Sequence, residues 1–360
     1  METTLYHILN KFKGHYDKQS YNEMYSKNQL LLEDLKRNKN KIDNQKNWDI
    51  AKKYANIYEF IFSFNNDGVA NVVPISRSYF KLVEVLKDNN VLVNNLEIKA
   101  ACICEGPGGF IQAINNVYND KKIHPVDCIT LLSNDKRVPN WKLKNITNYK
   151  ICYGYDNTGN IYNLQNIDFF VDTVGPHSCN LVTADGGFDF SKNFNAQEKD
   201  FLLLMLCEIY ICLNIQQEGG TFIIKAFDLF DINTINMIAL LRLFYDKITI
   251  QKPKTSRPAN SEKYLICSNF TLQNKHLLDH IKSKVYHRVF SIDEIISLDL
   301  QMNTLIHIYE YNTQFVNSQI FYINKTLTLL HSNNLVKNTN VEKCIEWCKK
   351  YDIPIKSNLV

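Results

Sequence analysis

The chain has 360 residues, of which 45% are hydrophobic, and this is enough apolar sequence for one large folded domain or two smaller ones. Its 41 basic and 37 acidic side chains give a net charge of +4, so a polyanionic partner is allowed but not required. The longest apolar run, 201–213, is interrupted by Glu208 and is shorter than the roughly 20 residues of a membrane span. The polar N-terminus does not resemble a secretory signal, so we expect an intracellular protein without membrane contact.

The ten cysteines are scattered along the chain and include no Cys-x-x-Cys pair. The closest pairs, Cys102 with Cys104 and Cys344 with Cys348, lack a second half at metal-ligand spacing. We therefore expect reduced, mostly buried thiols and no metal site.

The first 50 residues are polar and rich in Asn and Lys, with weak helical spacing of their leucines, which predicts a helical N-terminal extension. Apolar residues at helical spacing predict a helix over 48–64 and a second helix over 76–86, with Ser76 as a candidate N-cap. Lys81 falls just off the apolar face of this second helix, where a lysine is ordinarily solvated.

The stretch from Cys102 to Phe110 has the most specific local pattern in the chain. An apolar run (96–104) enters a Gly/Pro-rich turn, and a helix-compatible run (111–117) leaves it. Such a unit lets the backbone approach a nucleotide-like ligand and presents free N–H groups at the helix N-terminus. The spacing is not Gly-x-Gly-x-x-Gly, which disfavours a nicotinamide-dependent dehydrogenase. A tight structural turn without a ligand is the alternative at this point.

Apolar runs and helical runs then alternate, which predicts an α/β fold with a Rossmann-like, doubly wound, mostly parallel sheet. The predicted helices cover 195–216 and 231–245, and the predicted strands cover 128–132, 149–153, 178–184, 221–226, 248–250 and 263–268. The last two strands are joined by a basic loop and would form a hairpin that adds one antiparallel edge strand.

The C-terminal part of the chain lacks this alternation. Its predicted helices cover 276–286, 292–298, 302–330 and 341–351. The sequence therefore predicts an N-terminal helical extension (1–50), an α/β domain (51–270) and a helical C-terminal extension (271–360).

Four polar residues stand out once the strand ends are marked: Lys81, Asp185, Lys225 and Glu262. A lysine near the end of an apolar strand, as at Lys225, is costly to bury unless it is paired. Each of the four could be an ordinary charge facing solvent. Ligands bind at the carboxyl ends of strands in open α/β sheets, so a shared location of these residues would indicate a functional site.

Five sequence blocks resemble, in order, those of the FtsJ-like (RrmJ-type) RNA 2′-O-methyltransferases. The blocks are 76–82 (SRSYFKL), 105–110 (EGPGGF), 184–188 (ADGGF), 222–225 (FIIK) and 256–265 (SRPANSEKYL). The form Ala-Asp-Gly-Gly-Phe is closer to the branch that modifies mRNA caps in eukaryotes and large DNA viruses. Segments 54–59, 156–161 and 346–354 also look like that branch, and the resemblance covers residues 50–270 well.

The resemblance implies transfer of a methyl group from S-adenosylmethionine to a ribose 2′-hydroxyl, on the cap-proximal nucleotide of mRNA. It assigns catalysis to Lys81, Asp185, Lys225 and Glu262, with Lys225 as the base. It assigns cofactor binding to Glu105, Gly106, Pro107, Gly108, Gly109, Phe110, Asp156 and Asp185, without a metal. For Asp156 a loop-turn role is an equal alternative. The family often has an acidic residue where this chain has Cys102, so the carboxylate that contacts the methionine moiety stays open.

A lysine acts as a base only when its ammonium loses a proton. A second ammonium nearby, from Lys81, favours the neutral form of Lys225, whereas Asp185 and Glu262 oppose it, so the sequence leaves the balance open.

The expected partners are capped mRNA and other capping or transcription components, in the cytoplasm, the nucleus or a viral factory. Methylation of rRNA or tRNA, and a non-catalytic RNA-binding subunit, are the alternatives. Short basic clusters at 252–257 and 136–137 are candidate phosphate contacts.

Overall fold

The structure is a computed structural model that describes residues 5–10, 14–43, 45–62, 68–144, 146–188, 195–331 and 340–359. Eight of its strands form one large sheet and two short strands pair separately. The strands are β1 (Leu5–Leu9), β2 (Glu97–Ile98), β3 (Ala100–Ile103), β4 (Lys122–Ile123), β5 (Val126–Ile129), β6 (Tyr149–Cys152), β7 (Cys179–Ala184), β8 (Gln216–Ala226), β9 (Tyr245–Lys252) and β10 (Lys263–Phe270).

Ten α-helices surround the sheet in the described part of the chain. They are α1 (Lys18–Lys39), α2 (Trp48–Tyr54), α3 (Ser78–Asp88), α4 (Gly109–Val117), α5 (Leu164–Val174), α6 (Gln197–Ile215), α7 (Ile232–Phe244), α8 (Leu278–His287), α9 (Leu298–His331) and α10 (Val341–Lys350). None of the helices in these ranges is both long enough and apolar enough to cross a membrane.

The large sheet has the strand order β1-β9-β10-β8-β7-β3-β5-β6. The five strands from β8 to β6 are parallel neighbours, whereas β10 pairs antiparallel with both β8 and β9. The predicted mostly parallel sheet with an antiparallel end is therefore confirmed. The order reverses between β3 and β7, because the chain places β5 and β6 on one side and β7 and β8 on the other. In open α/β sheets the ligand crevice lies at such a switch point.

Both faces of the sheet are covered by helices, as expected for parallel strands buried on each side. Successive strand residues point to opposite faces, so Ile223 packs into one core cluster and Ile224 into the other. Helices α3, α4 and α10 cover the first face, and α5, α6, α7 and α9 cover the second. All ten cysteines are free thiols and all except the half-buried Cys104 are buried, which confirms that they are mostly buried.

The N-terminal residues differ from the predicted helical extension in one respect. Residues Leu5–Leu9 form β1, which pairs antiparallel with β9 and is the outermost strand of the sheet. Helix α1 follows and packs along α9. The division into units at residues 50 and 270 stays a prediction.

Two predicted helices differ from the structure. The helix expected over 48–64 ends at Tyr54, and a short 3-10 turn covers Ile57–Ile61, while residues 63 and 64 lie outside the described ranges. The Asn56 side chain accepts a hydrogen bond from the Tyr58 N–H, which competes with continuation of the helix. The helix predicted over 292–298 is wrong, because only Asp293–Ile295 form a 3-10 turn before α9 begins.

Candidate active site

The strand topology brings three of the four predicted catalytic residues to one edge of the sheet. Asp185 follows the last residue of β7, and Lys225 is the penultimate residue of β8. Glu262 directly precedes β10, which runs antiparallel to β8 and pairs Lys263 with Ala226. The beginning of β10 therefore lies beside the end of β8. Lys81 reaches the same place from the second turn of α3.

The four side chains form two lysine–carboxylate pairs. The Lys225 ammonium donates a hydrogen bond to the Asp185 main-chain oxygen at 2.8 Å, and its Nζ lies 3.2 Å from Oδ1 of Asp185. The Lys81 Nζ lies 2.8 Å from each carboxylate oxygen of Glu262. The four side chains are only 11–17% exposed, so water screens these pairs weakly. The predicted set is thus brought together as a shielded ionic cluster.

The charges of this cluster fix its protonation in the ligand-free protein. Burial alone would lower the pKa of Lys225, but the Asp185 and Glu262 carboxylates raise it by more, so the net pKa is above that of an ordinary lysine. Burial alone would raise the pKa of Glu262, but the surrounding lysines lower it by more, so the net pKa is far below the usual range. Lys225 is therefore an ammonium, and Glu262 a carboxylate, at neutral pH before any ligand binds.

The two glycines after Asp185 allow the close packing around the first pair. A Cβ on Gly187 would lie 3.0 Å from the Lys225 Nζ, and a Cβ on Gly186 would lie 2.3 Å from Oε1 of Glu208. Glu208 is fully buried in α6, and burial raises its pKa to about 8. The carboxyl group that interrupts the apolar run 201–213 therefore lies directly beneath the Asp-Gly-Gly turn.

The turn after β3 is shaped by contacts with protein as well as by room for a ligand. Gly108 has φ +115°, which favours glycine, and it begins α4. A Cβ on Gly109 would lie 2.2 Å from the Ser78 Oγ and 2.4 Å from the Ser76 Oγ. Gly109 thus allows α3, which carries Lys81, to approach α4. The structural role of this turn and its predicted ligand role are compatible.

Glu105 supplies the clearest sign of a ligand at this turn. Its side chain is buried, and its Oε1 atom makes no hydrogen bond within the described ranges. Burial raises the pKa of Glu105 well above the usual range, and the neighbouring Cys102 and Asp185 raise it further. An unpaired buried carboxyl oxygen is costly unless a ligand donor reaches it. A cationic ammonium group fits this position.

Cys102 has a different environment from the acidic residue often found at its position. It is completely buried, its Sγ accepts a hydrogen bond from the Thr183 hydroxyl at 3.3 Å, and burial raises its pKa well above the usual range. The thiol is therefore neutral. Glu105 and Asp185 are the two carboxyl groups that flank the switch point after β3 and β7.

Asp156 lies in the exposed loop after β6, at the same edge of the sheet but two strands from β3. Its carboxylate accepts hydrogen bonds from Thr158, Asn163 and Asn166 at 2.6–2.9 Å. Hydrogen bonds from the Thr158 and Asn163 side chains hold the pKa of Asp156 well below its usual range. This network stabilises the loop, and a cofactor contact of Asp156 stays a prediction.

The basic segment 252–257 makes several contacts within the protein, and a phosphate contact of this segment stays a prediction. Lys252 is buried, and its Nζ donates to the Ser256 Oγ and to the Glu262 main-chain oxygen at 2.9 and 2.7 Å. Burial lowers the pKa of Lys252 to about 7. Ser256 in turn donates to Oε1 of Glu262 at 2.8 Å. Arg257 forms an ion pair with Glu59 at 2.7 Å. Lys252 and Ser256 thus orient Glu262 through hydrogen bonds from the protein side of the site.

A buried carboxylate attaches this loop to the helix that carries Lys81. Glu84, one turn after Lys81 in α3, accepts hydrogen bonds from the Lys254 and Thr255 N–H groups at 2.6 and 3.2 Å. The Trp347 indole of α10 also donates to it at 3.3 Å. Burial raises the pKa of Glu84 to about 7. This contact holds α3 and the loop in the register that pairs Lys81 with Glu262.

A third lysine–carboxylate pair lies behind Glu262 and was not predicted. Lys39, at the end of α1, donates to the Asp228 carboxylate at 2.6 Å and to the Ser261 hydroxyl at 2.8 Å. Both charged side chains are at most 5% exposed. The sequence offered no signal for this role, because Lys39 lies in a run of Asn and Lys that resembles solvated surface. Lys39 links the N-terminal helix to the residue before Glu262.

A cavity of about 120 Å³ borders Glu262 and is surrounded by residues from several segments. It is lined by Trp48 and Phe227, by the amides of Asn260 and Gln319, and by Lys39 and Lys52 among others. Aromatic and amide side chains are types that contact unpaired RNA bases, whereas the two lysines are already paired with Asp228 and Asp49.

Comparison with known proteins identifies a family for this chain. The model of the FtsJ-like methyltransferase family matches residues 74–270, which include every predicted catalytic and cofactor-binding residue. Within the curated proteins, the chain is 28% identical over 341 residues to cap-specific mRNA (nucleoside-2′-O-)-methyltransferase 1A of Caenorhabditis briggsae, with coverage of 82% of this chain and 38% of that protein.

Two further relatives have names that differ in the activity they state. The inactive cap-specific mRNA (nucleoside-2′-O-)-methyltransferase 1B of Caenorhabditis briggsae is 28% identical over 344 residues, with coverage of 82% of this chain and 39% of that protein. The cap-specific mRNA (nucleoside-2′-O-)-methyltransferase of Autographa californica nuclear polyhedrosis virus is 33% identical over 167 residues, with coverage of 46% and 62%. The chain spans about two fifths of the length of the two nematode relatives.

Proposed function

Because the chain belongs to the FtsJ-like methyltransferase family, we propose that it transfers the methyl group of S-adenosylmethionine to a ribose 2′-hydroxyl of RNA. The observation that carries this proposal is the convergence of Lys81, Asp185, Lys225 and Glu262 as two shielded ion pairs at the switch point of the sheet. A structural scaffold has no need for all four of these residues to meet at one place.

The residues at the switch point fit S-adenosylmethionine, which would supply a methyl group activated by a positively charged sulfur. The unpaired Oε1 of Glu105 would accept a hydrogen bond from the cofactor's ammonium group, and Asp185 would contribute a second carboxylate. The glycine turn from Gly106 to Gly109 would leave backbone N–H groups accessible at the start of α4.

Lys225 would accept the proton of the attacking 2′-hydroxyl. In the ligand-free protein its pKa is raised by the Asp185 and Glu262 carboxylates against the lowering effect of burial, so the neutral amine is scarce. A positive charge bound beside Nζ lowers this pKa, because it disfavours a second cation. Lys81 and Asp185 would position the reacting groups, and positioning supplies a large part of the rate.

The RNA substrate we propose is capped mRNA, methylated on the cap-proximal nucleotide inside the cell. Support for it comes from the names of the relatives, which are cap-specific mRNA methyltransferases of animals and of a DNA virus. The cavity beside Glu262, with Trp48 and Phe227 in its wall, would accommodate part of the RNA. Other components of capping or transcription are further proposed partners, in the cytoplasm, the nucleus or a viral factory.

The test is transfer of labelled methyl from S-adenosylmethionine to three matched RNAs that are capped, capped without the N7 methyl group, and uncapped. We expect label on a 2′-oxygen of the capped RNA only. Equal labelling of the uncapped RNA would support 2′-O-methyl transfer but contradict specificity for capped RNA. One relative is named inactive, so the rival is a non-catalytic RNA-binding subunit. Folded protein that binds capped RNA and labels none of the three would favour that rival.

A further inference from the structure

His7, His307 and Glu310 form a cluster of metal-ligating side chains that the proposed reaction does not use. His7 and Leu9 are two residues apart on β1, so their side chains point to the same side of the strand. Leu9 belongs to the same core cluster as Ile308 of α9, and His7 therefore faces this helix. His307 and Glu310 are three residues apart on α9 and therefore share one helix face. Strands β9 and β10 separate β1 from β8, so the cluster is remote from Lys225.

The three ligand atoms form a compact triangle. Nε2 of His7 lies 3.1 Å from Nδ1 of His307 and 3.5 Å from Oε2 of Glu310, and the remaining side is 3.6 Å. Three ligands of a tetrahedral zinc ion at its usual bond lengths are about 3.3–3.4 Å apart. The centre of the observed triangle lies about 2.0 Å from each corner, which is the usual Zn–N distance. The spacing therefore suits one zinc ion just above the plane.

The surroundings orient His307 for this role. Its Nε2 lies 3.2 Å from the Asn10 main-chain oxygen, and a carbonyl oxygen can only accept a hydrogen bond. The proton must therefore be on Nε2, so Nδ1 of His307 accepts a hydrogen bond from Nε2 of His7 in the metal-free protein. A metal ion would replace the proton between these two nitrogens, and both lone pairs would then point to it. A backbone carbonyl that holds the second nitrogen of a histidine ligand is a recurrent feature of zinc sites.

The charges around the cluster partly compensate one another. The Arg242 guanidinium donates to the same Asn10 oxygen at 2.8 Å, so a positive charge lies on the far side of the carbonyl. The Glu310 carboxylate, on the near side, offsets the repulsion of a bound cation. The His7 and His307 side chains are 18% and 13% exposed, whereas Glu310 is 54% exposed. A metal ion could thus enter beside Glu310, and solvent could provide a fourth ligand.

We propose that His7, His307 and Glu310 bind one zinc ion that tethers the outermost strand β1 to α9. Two imidazoles and one carboxylate favour zinc over the oxygen-seeking magnesium and calcium ions. Within the sheet β1 pairs with β9 alone, and the ion would strengthen the existing contact between β1 and α9.

The experiment is calorimetric titration of the metal-free full chain with zinc, repeated in excess magnesium, together with hydrogen exchange of residues 5–9. We expect one tight site per chain that magnesium does not displace, and slower exchange of β1 when zinc is bound. Glu310→Gln changes a half-exposed side chain and should fold normally. It and His7→Gln should each weaken zinc binding by at least about tenfold.

The matched control is His280→Gln. His280 forms a similar histidine–glutamate contact with Glu294 at 2.9 Å, but its third neighbour is Lys284 rather than a second histidine. Zinc affinity unchanged by Glu310→Gln and His7→Gln, or lowered equally by His280→Gln, would overturn the proposal. Cobalt provides a second readout, because loss of its tetrahedral absorption in the two ligand variants is expected and its retention would contradict the site.

Discussion

The parallel and antiparallel halves of the sheet handle charge in different ways. At the ends of β3 and β7, in the parallel half, the switch point combines a glycine turn with Glu105, whose buried Oε1 has no hydrogen-bond partner in the described ranges. At the end of β8 and the beginning of β10, where the antiparallel half begins, Lys225 and Glu262 are already paired with Asp185 and Lys81. The first half leaves a buried carboxyl oxygen for a ligand to pair with, and the second fixes its charges in advance.

The difference suggests a division of labour. Binding energy is gained where a ligand satisfies an unpaired buried group, whereas a reaction is accelerated where groups are fixed before the substrate arrives. We therefore expect substitutions around Glu105 to change cofactor affinity, and substitutions around Lys225 to change the rate of transfer.

The largest effect is expected for Lys225→Met, which keeps the aliphatic side chain and removes the amine. Loss of a general base lowers rates by roughly 10²–10⁴-fold. Single-turnover methyl transfer to capped RNA should fall within this range, with S-adenosylmethionine affinity retained. The control is Lys247→Met, at an exposed position of β9. A similar loss in both variants, or a rate of Lys225→Met within threefold of wild type, would remove Lys225 as the base.

The next effect is on stability. Lys39→Met should destabilise the protein by roughly 3–5 kcal/mol, because it leaves the buried Asp228 carboxylate without its closest cation. Urea unfolding measures this loss. Adding Asp228→Asn should recover part of it, since the unpaired charge is then removed. If Lys39→Met lowered the free energy of unfolding by less than about 1 kcal/mol, the ion pair would not be buried in solution.

The pH dependence of kcat/KM for S-adenosylmethionine examines the ionised state of Lys225. The Asp185 and Glu262 carboxylates raise its pKa, in excess of the lowering by burial, so the free protein holds little neutral amine between pH 7 and 9. In this range kcat/KM should rise by up to about tenfold per pH unit. A profile that is flat from pH 7 upward would show that Lys225 has already lost its proton.

The smallest effect per unit of the variable changed is the pH dependence that Glu208 gives to stability. Burial raises its pKa from 4.5 to about 8, so the native state holds a proton that the unfolded state has released between these values. The free energy of unfolding should therefore fall as pH rises from 4.5 to 8, by less than about 1.4 kcal/mol per unit for this group. Glu208→Gln should flatten the dependence, and Glu33→Gln on the exposed face of α1 should not. Equal slopes in all three proteins would contradict the raised pKa.

The two halves also differ in how far their sequences predict their structure. In the parallel half, short apolar runs bounded by turn residues predict β5, β6 and β7 to within a few residues. In the antiparallel half, β9 and β10 are predicted but β1 is not. Its five residues lie in a polar N-terminus and are too few to show a recognisable strand pattern. Pairing with β9, a contact between residues about 240 positions apart, makes this segment a strand.

The candidate site could be predicted only as far as residue type reveals location. Lysine near the end of an apolar strand is unusual, so Lys225 could be recognised, and Glu208 was visible as the only charge in an apolar run. Lys39 and Lys252 lie in polar surroundings, and their burial depends on how α1 and the loop before β10 fold against the sheet. No local pattern distinguishes such a lysine from a solvated one.

The measurement that tests the division of labour most directly compares Glu105→Gln with Lys81→Met. The dissociation constant of S-adenosylmethionine and the single-turnover rate at saturating cofactor would be measured for both variants, after circular dichroism confirms folding. We expect Glu105→Gln to weaken binding by about tenfold, as for a lost charged hydrogen bond, with a near-normal rate. We expect Lys81→Met to bind within about twofold of wild type and to transfer methyl roughly a hundredfold more slowly. Loss of affinity in Lys81→Met equal to its loss of rate, or unchanged affinity in Glu105→Gln, would contradict the account.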